Sequence, residues 1–255
     1  GYTLDDNARA LIAFCMYYKK SGNAKILAYI QKYLDFINFC MQDTFRFKNY
    51  VDQDKNFTTQ NSHENLDDAN GRAIWALGYM TSLSGILPED MVNQANRLFK
   101  KAIQPIQCIH STRAMAFVIK GIYYQQQYEK DAATYEILIT FADRLARMYE
   151  HESNNEWEWF EAYLTYANSI LPEAMLFAWL ISGDETYKNI AIISFDFLLS
   201  KTYNDNGIEV ISNKKWLHKG QDAGRFGEQP IDVAYTIMTL NEFYGAFKNQ
   251  EYQSK

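Results

Sequence analysis

The chain has 255 residues, 47% of them hydrophobic and 22% charged, which is enough length and apolar content for one large domain with its own core. A formal net charge of -6 excludes a basic nucleic-acid surface. No run of about 18 apolar residues occurs, so no membrane span is expected. The opening residues lack the basic and apolar regions of a signal peptide, so a cytoplasmic location is expected, or a periplasmic one if a leader has been removed.

With only 12 Gly and 4 Pro, the chain reads as long helices with few breakers. The first, 5–20, is apolar almost all round, as in Ala10-Leu-Ile-Ala-Phe-Cys15, and opens on Asp5-Asp6-Asn7-Ala8-Arg9. The second, 24–42, is amphipathic: Ile26, Tyr29, Ile30 and Tyr33 recur at helical spacing opposite Gln31 and Lys32. After a long loop, 43–66, a third helix at 67–84 opens on Asp68-Ala-Asn-Gly-Arg72-Ala, a near copy of the first opening. A fourth runs over 89–104. The fifth, 111–128, keeps the Arg-Ala part of the motif in His110-Ser-Thr-Arg113-Ala. The sixth, 131–149, is amphipathic, and the loop 150–160 carries Glu156-Trp-Glu158-Trp159-Phe-Glu161 across its end. The seventh, 161–182, is apolar; the eighth, 184–201, is amphipathic. A last long loop, 202–228, holds Gly207–Ser212, which could open a small hairpin, and leads to a ninth helix at 229–249.

Odd-numbered helices therefore form an inner set and even-numbered ones an outer layer, each repeat of about 40 to 60 residues being one helical hairpin. Turns from inner to outer helix are short, whereas 43–66, 150–160 and 202–228 run from outer to inner helix. Antiparallel hairpins put all such loops on one face, together with the N-termini of the inner helices, and long loops on a rigid scaffold are where function concentrates. Five inner helices and an abrupt start at Gly1-Tyr-Thr suggest a single domain over 1–255 that is cut or partly covered. The cysteines Cys15, Cys40 and Cys108 lack metal or disulfide spacing and are expected to be buried thiols.

These features resemble the six-hairpin, (α/α)6-toroid glycosidase superfamily. Gly1-Tyr-Thr-Leu-Asp-Asp-Asn-Ala-Arg-Ala10, Trp159-Phe-Glu-Ala-Tyr-Leu-Thr-Tyr-Ala-Asn168 and Gly220-Gln-Asp-Ala-Gly-Arg-Phe-Gly-Glu-Gln-Pro-Ile-Asp232 are similar to motifs of a poorly characterised bacterial branch whose members accompany glycosyltransferases and mannoside-processing enzymes. The resemblance implies an all-α, (α/α) toroid of helical hairpins, here an incomplete (α/α)6 barrel, and a carbohydrate substrate.

Glycoside cleavage needs two carboxyl groups, one donating a proton and one attacking or activating water. Asp5, Asp6, Asp68, Glu158 and Glu161 are the candidates, with Asp67, Asp222 and Glu228 on the same expected face. Helix capping and dipole stabilisation compete as explanations for the paired aspartates. Arg9, Arg72 and Arg113, in apolar helices, must be paired; Asp5–Arg9 and Asp68–Arg72 are spaced i,i+4 and can meet, as locks between repeats or as sugar-binding forks. Trp159 is read as a sugar-stacking ring against the alternative of a hydrophobic staple, and Asn168 as pointing into the cleft. Trp216, His218, Asp222 and Arg225 form a second polar-aromatic cluster, with Gln229 at the next helix start and His110 beside Arg113. No metal-ligand spacing, phosphate loop or nucleophile motif occurs, so neither metal nor cofactor is expected. The reading is a glycoside hydrolase-like domain acting on an oligosaccharide. Its rivals are a non-catalytic sugar-binding accessory domain of a glycosyltransferase and a helical-repeat protein scaffold.

Overall fold

The computed structural model describes residues 1–222, 224, 227 and 229–255, so Arg225 and Glu228 lie outside the described residues. Among the described residues no helix is long and apolar enough to cross a membrane. Contacts divide the chain into two compact units, Gly1–Leu138 and Ile139–Lys255.

The first unit holds α1 (Leu4–Ser21), α2 (Leu27–Cys40), α3 (Asp67–Thr81), α4 (Glu89–Ala102), α5 (Thr112–Tyr128) and the start of α6 (Ala132–Glu152). Two short strands, β1 (Tyr2–Thr3) and β2 (Tyr50–Val51), pair antiparallel and tie the N-terminus to the first long loop. Every residue of α3 except Asp68 is buried, as is the whole stretch from Thr112 to Ile122 of α5. These two helices run parallel in a register of 43 residues, with Asp68 beside Ser111, Gly71 beside Ala114 and Gly78 beside Gly121. Glycine is required at this crossing, because a Cβ on Gly78 would collide with the Gly121 carbonyl. Between the backbones, Trp75 stacks on Phe117 at 5.6 Å, and the Lys120 ammonium sits 4.0 Å from the Trp75 ring centre. Outer α4 buries only the stripe Val92, Ala95, Leu98, Phe99 and Ala102.

The second unit contains the rest of α6, then β3 (Tyr163–Leu164), α7 (Ile170–Ser182), α8 (Glu185–Thr202), β4 (Tyr203–Asn204), β5 (Gly207–Ile208), β6 (Leu217–His218), α9 (Pro230–Phe247) and α10 (Gln250–Ser254). Helix α7 starts nine residues later than expected. The Asn168 side chain accepts the Thr165 N–H at 2.9 Å and donates to the Thr165 carbonyl at 2.7 Å, and Ala167 takes a left-handed φ of 49°. A side-chain amide that serves a neighbouring residue's backbone in this way competes with helix formation. Gly207–Ile208 does form a hairpin, as its closing strand paired with β4. The unpredicted α10 docks through Tyr252, whose ring lies 5.3 Å from Phe243 of α9 and 5.8 Å from Phe195 of α8.

Two expectations about burial need correction. The apolar helices α1 and α9 each bury one stripe only, and Ile237 of α9 is 54% exposed. Periodicity reports a helix's composition, but the number of neighbouring helices decides how much of it is covered. Cys15 and Cys40 are buried, which pushes both thiols up to about 12, whereas Cys108, in the turn before α5, is exposed.

Candidate functional site

In the first unit the beginnings of α1, α3 and α5 lie side by side and gather the acidic openings of α1 and α3 with the Arg-Ala opening of α5. Their N-caps are not the paired aspartates. Thr3 caps α1, its Oγ1 accepting the Asp6 N–H at 3.1 Å, and Ser111 caps α5. Asp5, Asp6, Asp67 and Asp68 occupy first turns, where the helix dipole favours them, and their carboxylates serve other partners. Asp5 bonds Arg9 at 2.8 Å, the expected i,i+4 pair, and also pairs with buried Arg72 of α3. The partner that Arg72 takes for this pair is thus a neighbouring helix, and its guanidinium also covers the Phe117 ring at 4.5 Å. Asp68 accepts a 2.5 Å bond from Ser111 Oγ. Asp67 accepts from Arg46 at 2.9 Å and, at 3.5 Å, from the His110 N–H. Arg113 is buried at the start of α5, and the His110 side chain is exposed.

Asp6 is the most exposed of these acids. Partial burial raises its pKa, but hydrogen bonds from Thr3 and Arg9 and the charges of Arg9 and Arg72 outweigh that and hold it below 3.8. It is therefore a carboxylate at neutral pH, suited to accept a proton or stabilise positive charge and poorly suited to donate one.

Beside these helix starts, the loop 43–66 folds over the N-terminus of α3 and leaves an open hollow of about 440 Å³. Asparagines shape it. Asn70 accepts the Phe47 N–H at 2.9 Å and donates to the Phe47 carbonyl, so a side chain of α3 pairs with the loop as a strand would. Asn61 accepts from the Asn49 and Tyr50 N–H groups, and Asn49 in turn accepts the Asp5 N–H at 3.0 Å. The lining includes Gln42, Thr44, Arg46, Lys48, Glu64, Asn65, Asp67 and Asn70. Donors, acceptors and both charges are mixed over a volume in the range of small-molecule sites. Arg46 is held at one nitrogen by Asp67, yet its side chain is 43% exposed, so the guanidinium is positioned and still reachable by a ligand.

In the second unit, β3 and β6 pair antiparallel, Tyr163 opposite His218, and zip the two polar-aromatic loops together. Lys219 reinforces the joint, its ammonium bonding Glu152 at 2.9 Å. Glu161 and Trp216 are partly exposed near this ribbon, as is Glu158, while His218 and Asp222 are exposed. Trp159 is fully buried, packed edge-on against Phe160 at 5.3 Å and tilted against Phe197, so its ring is a core anchor and not an open sugar platform. Trp157 is buried too and donates through Nε1 to the Glu161 carbonyl at 2.7 Å. Asn168 is consumed by the turn described above. Gln229, partly exposed, precedes α9 without a capping bond.

No family model matches the chain, and no curated protein matches it in sequence. Among solved structures, cellobiose 2-epimerase from Bacillus thermoamylovorans matches 99% of this chain and 73% of its own, with a TM-score of 0.69 and 12% sequence identity. The fold is an α/α toroid. At that identity what the two share is architecture, and the site of this toroid has to be read from its own residues.

Several of those residues carried no motif. Thr44, Arg46, Lys48, Glu64 and Asn65 belong to a loop whose length alone marked it, and Gln42 stands at the expected end of the second helix, which closes two residues earlier, at Cys40. The available signal was the density of asparagine at 49, 56, 61, 65 and 70, a residue that substitutes its amide for backbone partners in irregular structure.

Proposed function

We propose that this α/α-toroid chain is a carbohydrate-active domain that receives an oligosaccharide at the end of the first unit where α1, α3 and α5 begin. The observation that carries this reading is the polar hollow over the N-terminus of α3, lined by mixed donors and acceptors and joined through Asn49 and Asp67 to the acidic helix starts. A neutral sugar presents hydroxyls that both donate and accept, which this lining matches better than it matches a phosphate or a purely apolar ligand. The fold likeness to an enzyme named for a disaccharide supports the substrate class, and the motif resemblance favours mannose- or glucose-type oligosaccharides.

The reaction we favour is glycoside hydrolysis by paired carboxylates. Asp6, held ionised, takes the base or charge-stabilising role, and Asp68 is the proton-donor candidate at the same helix starts. Arg9, Arg72, His110 and Arg113 then position the acids, with Arg46 reaching the sugar. A second reading, sugar binding without turnover as an accessory domain of a glycosyltransferase, is favoured by one observation: Asp5, Asp6, Asp67 and Asp68 all hold partners within the protein.

A thermal-shift screen of gluco- and manno-oligosaccharides, followed by product analysis, tests this. A sugar is expected to raise the Tm of the parent protein and to lose its effect in Arg46→Ala. Hydrolysis shortens the sugar and is lost in Asp6→Asn or Asp68→Asn; epimerisation changes the sugar without changing its length; the binding-only reading requires neither. If no sugar of either series shifts the Tm, the carbohydrate reading is withdrawn.

A further inference from the structure

We propose that Phe117 and Trp75 are positioning residues for the acidic start of α1: with Arg72 and Lys120 they form a buried column that fixes where the Arg72 guanidinium stands, and Arg72 in turn holds Asp5. The carbohydrate reading above concerns these same helix starts, but the column does not need the ligand to be a sugar. The register of 43 between the parallel helices sets Phe117 of α5 level with Ile74 of α3, and Lys120 level with Leu77. The four side chains therefore interleave in the order Arg72, Phe117, Trp75, Lys120, and each meets the next. The Arg72 guanidinium lies 4.5 Å from the Phe117 ring centre. The Phe117 and Trp75 rings stack at 5.6 Å and 12°, and the Lys120 ammonium lies 4.0 Å from the Trp75 ring centre. The column is thus a cation, two stacked rings and a second cation, all buried.

Stability alone does not call for this arrangement. Aliphatic side chains could fill the space between α3 and α5, and taking two cations out of water is costly unless each is well partnered. What the rings supply is direction. A guanidinium is flat, so a ring face against it fixes its plane as well as its position. The core thus sets the placement of Arg72, and Arg72 meets Asp5, whose other partner is Arg9 at 2.8 Å. Arg9 also holds Asp6 at 2.6 Å, so a continuous path runs from Lys120, deep between α3 and α5, to Asp6, whose side chain is 69% exposed. Asp6 is faced by Thr3 just before α1, by Arg9 on α1 and by Arg72 on α3. Partial burial raises its pKa, and those three groups outweigh burial and lower it. Asp6 therefore reports, at the open end of the path, whether Arg72 stays where the rings put it.

The test is a pH titration of the whole chain by NMR with carboxyl-labelled aspartate, the Asp6 signal being the one that Asp6→Asn removes. Phe117→Leu takes away the ring against Arg72 and is expected to shift the Asp6 midpoint upward. Trp75→Phe removes more volume from the core but keeps two rings in the column, and should leave the midpoint where it is in the parent. Arg72→Lys keeps the charge but has no flat group to lie on Phe117, and is expected to shift the midpoint upward as well. Melting curves check folding, and Arg72→Lys carries the test by itself if Phe117→Leu does not fold. An Asp6 midpoint unmoved in Arg72→Lys overturns the column, because charge without placement would then suffice. Equal shifts in Phe117→Leu and Trp75→Phe also overturn it, because loosened packing would then explain both. No sugar enters these titrations. A sugar screen without a hit therefore removes the carbohydrate reading and leaves the column standing, and a failed column leaves the carbohydrate reading to the screen.

Discussion

The loops at 43–66 and 153–169 both link an outer helix to an inner one, yet they fold in opposite senses. The second is rich in Trp and Glu and looks like a binding loop by composition. Its indoles at Trp157 and Trp159 turn inward, and Asn168 pins its last turn before α7. The first is polar, with no tryptophan. It is held by asparagines against α3 and leaves a hollow open to solvent. Burial of a large ring outweighs its display when apolar helices lie within reach, because each buried aromatic contributes far more by leaving water than by waiting for a ligand. Polar residues with local backbone partners have no such pull, and a loop made of them can keep a concavity open.

The largest effect that would sharpen this contrast is on stability in the second loop. Trp159→Ala is expected to cost about 3–5 kcal/mol by leaving a cavity in the core, read as a lowered denaturation midpoint in urea. A loss below about 1 kcal/mol would mean that the ring is not an anchor. Asn168→Ala comes next, at about 1–3 kcal/mol, because it strands the buried Thr165 backbone groups. In the first loop the order of effects reverses. Arg46→Ala should change stability by no more than about 1 kcal/mol, its pair with Asp67 being half exposed. The same variant should weaken the best-binding oligosaccharide about tenfold, and a variant that binds as tightly as the parent would remove Arg46 from the site. The smallest effect concerns pH. The folded state lowers the Asp6 pKa below 3.8, so this group stabilises the fold above that pH and the contribution disappears as pH falls through the lowered value. Melting temperatures between pH 2 and 5 should therefore fall slightly more steeply in the parent than in Asp6→Asn; parallel curves would mean that the Thr3 and Arg9 bonds do not hold the carboxylate in solution.

Much of the architecture was legible from the chain. The boundaries of α1, α4 and α5 follow from apolar periodicity and from turn residues such as Gly22, whose φ of 62° closes α1. The repeated Asp…Arg openings of α1 and α3, with the Arg-Ala part kept in α5, announced that these helices start alike; the motif recurs 41 residues on at Arg113, whereas the backbones of α3 and α5 meet in a register of 43. The candidate site was legible only where it coincides with those openings. Asp5–Arg9 is a local pair and was expected; Asp5–Arg72 and Asp68–Ser111 join separate helices, and spacing along one helix cannot specify a partner on another. The late start of α7 was missed because Trp159 to Asn168 has helical periodicity, and a single amide serving Thr165 was enough to override it.

The order of apolar and polar residues along the chain determined that helices form, how long most of them are, which carry the acidic openings and where the long loops fall, because these depend on interactions within a few residues. Which rings are buried, which carboxylate each arginine holds and which loop keeps a hollow were decided only when the helices packed. Those outcomes depend on contacts between residues far apart in sequence, whose free energy is collected only in the assembled core.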